Sequence, residues 1–419
     1  MFEALLNAFR APDLRRRILY VAGILLVFRL LAHVPVPGVD RTQLSNFLDQ
    51  SPIFGMLDLF SGGGLTTFSV VALGVNPYIN ASIIMQLMTG VIPSLQALQR
   101  EGEYGRTKIN QYTRYLSVPM AILQAYGFMA LLNANGVLRT PFDLGSWETW
   151  VQIVTLVAGS ITLMWLGELI TEKGIGNGVS FIIFAGIVSR APGALTSFID
   201  NPDLAKLVLF AILAIAAVAV IIYIQEGQRR IPIQYAKRMV GRRMTQGGST
   251  YMPLRVNMAG VIPVIFAVAV LFLPPTIGQL VPGLGFLADW FQPSSWAAII
   301  LEFGLIVMFS FFYTAVQFNP VEQAENLKKY GGFIPGVRPG RPTAQYLDRV
   351  MTRLTLPGSL FLGSIAVLPT IFIKYGGFSQ AVAQALGGTS ILIIVGVALD
   401  TMRQMESQVM MRHYDGFLK

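Results

Sequence analysis

Long apolar runs recur along the whole chain, separated by short polar or Gly/Pro-rich breaks. The runs are too long and too continuous for the alternation of half-buried strands, and they predict helices buried in an apolar medium. Ten are read as membrane spans, near 18–34, 75–93, 115–134, 151–170, 177–191, 207–225, 257–275, 296–317, 354–374 and 387–404. A bilayer core about 30 Å thick wants about 20 helical residues. Several runs fall short of that, 177–191 most clearly, so tilt or an unusual path through a bundle is expected. The first run follows Arg15-Arg16-Arg17 and ends at Pro35-Val36-Pro37-Gly38 without a small-residue cleavage site, which predicts a span that stays in place. Between the first two spans, Ser61-Gly62-Gly63-Gly64 and Gly74-Val75-Asn76-Pro77 bracket an apolar piece too short to cross. Irregular backbone at membrane depth must be buried in protein or face water. Residues 60–73 therefore read as a re-entrant segment inside the bundle, with a surface-lying interfacial segment as the other option.

Composition agrees. Of 419 residues, 53% are apolar and 13% charged, about half the charge of a soluble domain. Absence of cysteine excludes disulfides and thiolate chemistry, and two histidines cannot build a His-rich metal centre. The net charge of +9 acquires a direction once the spans are drawn. With the N-terminus inside, 25 of the 31 Lys and Arg fall in cytoplasmic segments and five outside. That is a strong positive-inside bias, and a shift by one span would destroy it.

Two cytoplasmic segments are long, 226–256 and 318–353. The first carries Arg229, Arg230, Lys237, Arg238, Arg242, Arg243 and Arg255 against one acid, Glu226, with Ile231, Ile233, Tyr235 and Val240 suggesting hairpin-like structure. It is either topological charge alone or a docking site for an acidic or nucleic-acid-bearing partner. In the second, Pro335-Gly336-Val337-Arg338-Pro339-Gly340 is a constrained turn that fixes the direction of Arg338. Within the spans, Asn80, Gln86 and Asn257 are polar but uncharged and either bond across helices or line a wet cavity. Arg29, Glu168, Glu302 and Asp400 are ionisable at or near span depth. Arg29 is expected to pair or to face water. Gly174-Ile175-Gly176-Asn177-Gly178 lacks the spacing and context of a dinucleotide loop, and no phosphate-loop, zinc-protease or nucleophile-elbow motif is present. The expectation is a protein that is not an enzyme and needs no cofactor.

Taken together, several stretches resemble the SecY family, the channel subunits of the bacterial Sec protein translocase. They are Phe60-Ser61-Gly62-Gly63, Ala72-Leu73-Gly74-Val75-Asn76-Pro77-Tyr78-Ile79, Gln111-Tyr112-Thr113-Arg114, Glu172-Lys173-Gly174-Ile175-Gly176-Asn177-Gly178, Arg230-Ile231-Pro232, Tyr235-Ala236-Lys237-Arg238, Val256-Asn257-Met258-Ala259-Gly260, Pro335-Gly336-Val337-Arg338-Pro339-Gly340 and Met411-Arg412-His413-Tyr414. Together they cover essentially the whole chain.

The resemblance implies an all-α polytopic membrane protein of ten transmembrane helices in two inverted five-helix halves, with a re-entrant plug helix. Its divisions are a cytoplasmic segment 1–17, an N-terminal half 18–191, an external linker 192–206, a C-terminal half 207–404 and a cytoplasmic tail 405–419. By position, the pore ring falls on Ile79, Ile83, Val179, Ile183, Ile265 and Ile393. The plug falls on about 60–71, beginning Phe60, Ser61, Gly62, Gly63, Gly64 and Leu65. Gln86 and Asn257 are candidates for a polar latch in a lateral gate. Arg229, Arg230, Lys237, Arg238, Arg242, Arg243 and Arg338 are the expected contacts for motor and ribosome. The implied partners are the small subunits SecE and SecG, the SecA ATPase, the translating ribosome with its RNA and proteins, signal sequences, unfolded preproteins and membrane lipids. The implied location is the bacterial plasma membrane with both termini cytoplasmic. A secondary transporter with alternating access is the alternative. The half-broken spans fit it, while the basic loops and the lack of a charged substrate site speak against it.

Overall fold

A computed structural model describes residues 12–50, 58, 61–140, 142–143, 145–200, 204–235, 239–240, 243–244, 248–271, 274, 278, 283–290, 295–376 and 387–417. Each apolar run of the sequence coincides there with a helix. In chain order the helices are α1 (Pro12–Leu31), a short α2 (Arg41–Gln50), α3 (Asn76–Val91), α4 (Pro93–Arg100), α5 (Glu103–Ala134), α6 (Trp147–Lys173), α7 (Gly178–Asp200) and α8 (Leu204–Glu226). After a β-hairpin come α9 (Ile262–Leu271), α10 (Gly285–Trp290), α11 (Trp296–Gln317), α12 (Pro320–Lys329), α13 (Arg341–Gly376) and α14 (Gly388–Phe417).

Local chemistry sets the boundaries. α3 opens with a proline in its first turn, where the missing N–H costs nothing. It stops at Pro93, which cannot continue it, and α4 departs at 98°. Ser295 caps α11 by accepting from Ala298 N at 3.1 Å, and Asn319 caps α12 by accepting from Val321 N at 3.2 Å. At α2 the carboxylate of Asp40 accepts from the Thr42 hydroxyl at 2.6 Å and the Thr42 amide at 3.0 Å, and these bonds hold its pKa below the usual carboxylate value.

Among the described residues, four helices are long and apolar enough to cross a bilayer unaided, and the bent pair α3–α4 makes a fifth. Shorter apolar helices lie at Gly178–Arg190, Ala211–Glu226 and Ile262–Leu271. Large apolar side chains point outward along the bundle, among them Leu26, Leu123, Ile215 and Ile300, each more than half exposed. A water-soluble surface of that kind would be an aggregation hazard, whereas lipid satisfies it. The chain is a polytopic α-helical membrane protein.

The helices close into a ring. α1 packs on α6, α6 on α5 and α7, and α5 on α3. α9 packs on α11, α11 on α13, and α13 on α14. The early and late helices meet most closely at two seams, α3 with α9 and α7 with α14.

Two features depart from the sequence reading. The plug was expected as a helix, but from Gly62 to Val75 the chain runs in turns, and among the described residues helical conformation near it reaches only Asp58 and Ser61. Gly62 and Gly63 take φ of 68° and 87°, left-handed values that end a right-handed helix. The β-branched and hydroxyl residues that follow, Thr66, Thr67, Ser69, Val70 and Val71, favour extended or locally bonded backbone. The segment is stapled through Val36 N to Phe68 O at 2.8 Å and Val70 N to Val34 O at 2.9 Å. It also lies directly on α6, where a side chain at Gly159 would collide with the carbonyl of Val70.

The second departure is that strands from the two long segments pair in one small sheet beside the helices. β1 (Gln228–Tyr235) pairs antiparallel with β4 (Ser249–Arg255), in register from Gln228 opposite Arg255 to Gln234 opposite Ser249. This is the hairpin expected of 226–256, with a small outer ribbon of β2 (Met239–Val240) and β3 (Arg243–Met244). Its free edge is taken by β5 (Gly332–Phe333), which comes from the other long segment between spans. Ile231, Leu254, Phe318, Ile334, Leu347 and Val350 form one apolar core beneath the sheet. The two long segments are therefore one structural unit, a pairing that no local pattern in either segment signals.

Candidate functional site

At the centre of the ring is a cavity of about 460 Å³. Its polar wall includes Tyr78, Gln86, Asn110, Arg114, Glu168 and Asn177, and its apolar end is made by Ile79, Val179, Ile183 and Ile265. Thr171, Glu172 and Ser180, where α6 ends and α7 begins, also line it. Arg114 Nε and Glu168 Oε1 pair across the wall at 2.5 Å, joining α5 to α6. That contact answers for Glu168, one of the span-depth charges. Glu172 is the other carboxylate on the cavity wall.

The six ring residues come from the four helices of the two seams. Ile79 and Ile83 are on α3, Ile265 on α9, Val179 and Ile183 on α7, and Ile393 on α14. All belong to one apolar cluster, with the five isoleucines at most 5% exposed and Val179 packed against them. Val71 and Val75, from the end of the turn segment, are fully buried in the same cluster. The polar cavity therefore borders a branched apolar cluster that the turn segment shares. Such a constriction excludes water and raises the barrier to ions.

Of the plug residues, Phe60 lies outside the described residues. Ser61 and Leu65 are at most 2% exposed, and Gly62 and Gly64 are buried while Gly63 is half-buried. Leu65, Phe68, Ala72 and Leu73 enter a second apolar cluster with Leu44, Phe128, Met129 and Leu156, where Phe68 stacks on Phe128 at 6.0 Å between ring centroids.

Gln86 and Asn257 are not joined to each other. Asn257 Nδ2 donates to Gly260 O at 2.9 Å within its own turn, while Gln86 Oε1 is buried with no partner. Of the basic contacts, Arg229 and Arg230 are exposed on β1, and Arg338 is exposed on its turn. The Arg338 carbonyl accepts from Thr343 Oγ1 at 2.8 Å. Arg243 lies on β3, and Lys237, Arg238 and Arg242 fall outside the described residues. The hairpin base is tied down by Arg403 of α14, which donates to Glu226 Oε1 at 2.8 Å and to Gln225 O at 2.9 Å.

Sequence reasoning missed Tyr78, Arg114 and Tyr313 as cavity lining. It also missed a charged cluster of Arg29, Asp58 and Arg190 beneath the turn segment. Arg29 had been marked by its depth, but nothing local named its partners.

The SecY family model matches residues 69–402. The chain belongs to the SecY family. The protein translocase subunit SecY of Corynebacterium glutamicum is 47% identical over the full length of both chains. Among solved structures, a protein-conducting channel superposes with a TM-score of 0.64 at 20% identity, covering 92% of this chain and 90% of that one. A SecY structure described by the role of its plug domain in stabilising the closed channel and keeping a membrane seal gives 0.62 at 18% identity, again over 92% and 90%. Those two likenesses support the SecY fold, and the full-length relative carries the family.

Proposed function

We propose that this SecY-family chain is the central protein-conducting channel of a bacterial Sec translocase. It passes unfolded secretory proteins across the plasma membrane and releases transmembrane segments sideways into lipid. The observation that carries the reading is a polar cavity walled in part by Ile79, Ile183 and Ile265, whose aliphatic cluster also takes in Val71 and Val75 of the turn segment. A ring of branched apolar side chains offers no specific grip, which suits cargo of arbitrary sequence. It also closes to ions when empty.

In this reading the ten spans form halves at 18–191 and 207–404 joined by an external linker at 192–206, with both termini cytoplasmic. Residues 60–71 are the plug. The lateral gate runs along the α3–α9 seam, bounded by α5 and α11, and α3 carries Gln86, whose buried amide oxygen is unpartnered. A segment apolar enough to prefer lipid partitions through that seam by its own transfer free energy. The channel has no chemistry of its own to drive transport. Energy comes from SecA or a translating ribosome docking on the unit built from both cytoplasmic segments, where Arg229, Arg230 and Arg338 are exposed. Exposed arginines there suit ribosomal RNA phosphates and acidic protein surface alike. SecE and SecG complete the membrane complex.

A photo-crosslinker tests the path. Placed at Ile183, it should capture an arrested secretory precursor. Placed at Leu123, which is 67% exposed on the lipid side, it should not. Equal capture at both positions, or none at Ile183, removes the constriction from the path.

A further inference from the structure

The charged cluster beneath the turn segment has no part in the conducting path described above. Asp58 is completely buried. Its Oδ1 accepts from Leu65 N at 2.8 Å, Thr66 N at 3.0 Å and Ser61 Oγ at 3.2 Å, so this carboxylate organises the interior of the segment. The same carboxylate forms an ion pair with Arg190 of α7. One turn along the segment, Gly62 O accepts from Arg29 of α1 at 2.6 Å, and the same guanidinium nitrogen donates to Ser189 Oγ at 3.0 Å. Two guanidiniums from two helices thus face one carboxylate and one carbonyl of the segment. All four anchoring groups lie in the early half of the chain.

We propose that Asp58, with Arg190 and Arg29 as positioning residues, forms a charge latch that holds the plug on the early half and sets the threshold for its release. The inference rests on the reading of residues 60–71 as the seal. Because Asp58 ties the segment together internally and to α7 externally, the segment leaves as a unit or not at all. Leaving separates a buried carboxylate from its guanidinium, which is costly unless water or another charge reaches both. Surface salt has little access to such a pair. The latch therefore favours a closed resting state with a discrete release step. Apolar packing of Leu65, Phe68 and Val71 alone would give a looser, graded hold.

The test uses the absence of native cysteine. Pro35 and Ser69 face each other in an isolated antiparallel bridge flanked by the two staple hydrogen bonds. Such a non-hydrogen-bonded pair has Cα atoms about 4.5 Å apart, within reach of a disulfide. In the complete reconstituted complex, Pro35→Cys with Ser69→Cys and a mild added oxidant reports how much of the time the segment is docked. Asp58→Asn and Arg190→Gln should each slow disulfide formation roughly tenfold, and the double variant should be no slower than the worse single one, as for partners in one interaction. Arg190→Lys, which keeps the charge, should restore most of the rate. Ion leak, measured on the same vesicles, should rise in the two neutral variants. Unchanged trapping in Asp58→Asn and Arg190→Gln overturns the latch, and so do effects that multiply in the double variant. Slower trapping with unchanged leak upholds the latch and instead refutes the seal on which it rests.

Discussion

Vesicles holding the channel without residues 60–71 leak ions faster than vesicles holding the intact chain, by roughly an order of magnitude at equal channel content. The expectation follows from what the segment covers. Val71 is fully buried in the isoleucine cluster, and Leu65 and Phe68 are buried in the second apolar cluster. Removing them leaves the constriction itself as the barrier. Six aliphatic side chains from four separate helices close only as well as the two seams hold together. The deletion also strips the outer cluster of large residues, so folded channel must be counted by thermal unfolding before the leak is compared. An unchanged leak per folded channel removes the segment from the seal.

Arg338→Glu depresses motor-driven translocation roughly tenfold while channel abundance stays near normal. Abundance should hold because Arg338 is exposed, and a surface substitution usually moves stability by no more than about 0.5 kcal/mol. Transport should fall because the side chain leaves a turn whose direction is fixed on both sides. Pro335 and Gly336 precede it, Pro339 and Gly340 follow it, and Thr343 holds its carbonyl at 2.8 Å. A charge held in that way on a docking surface selects partners. Its reversal sets like charge against an acidic partner. The readout is protected precursor per folded channel with SecA and ATP, and an unaltered value rejects the contact.

Much of this architecture is legible along the chain because its forces are local or directional. The apolar runs place the helices, and the basic residues at 229–255 and 328–353 mark one face. The prolines at 77 and 93 mark where α3 begins and ends. The ring residues are reached only through the family resemblance, since an isoleucine in a span looks the same whether it faces a pore, a neighbour or lipid. What remains hidden depends on long-range contacts. Nothing near Gly332 or Phe333 announces that they extend the sheet of a hairpin about a hundred residues earlier. Nothing near Asp58 announces Arg190, 132 positions on. The segment at 60–71 misleads in another way, because the family resemblance implies a helix there while its glycines and β-branched residues give turns. Gln86 and Asn257, the candidates for a polar latch, do not bond each other here for a simple physical reason. Asn257 satisfies itself inside its own turn, a shorter reach than across the seam.

The central claim is that polypeptide moves through the middle of this helical ring. Its most direct test is reconstitution of the chain with SecE, SecG, SecA and a radiolabelled secretory precursor in sealed vesicles. The account predicts ATP-dependent accumulation of precursor that resists external protease until detergent is added. A precursor that remains fully digestible, in vesicles whose folded channel is verified, would contradict it.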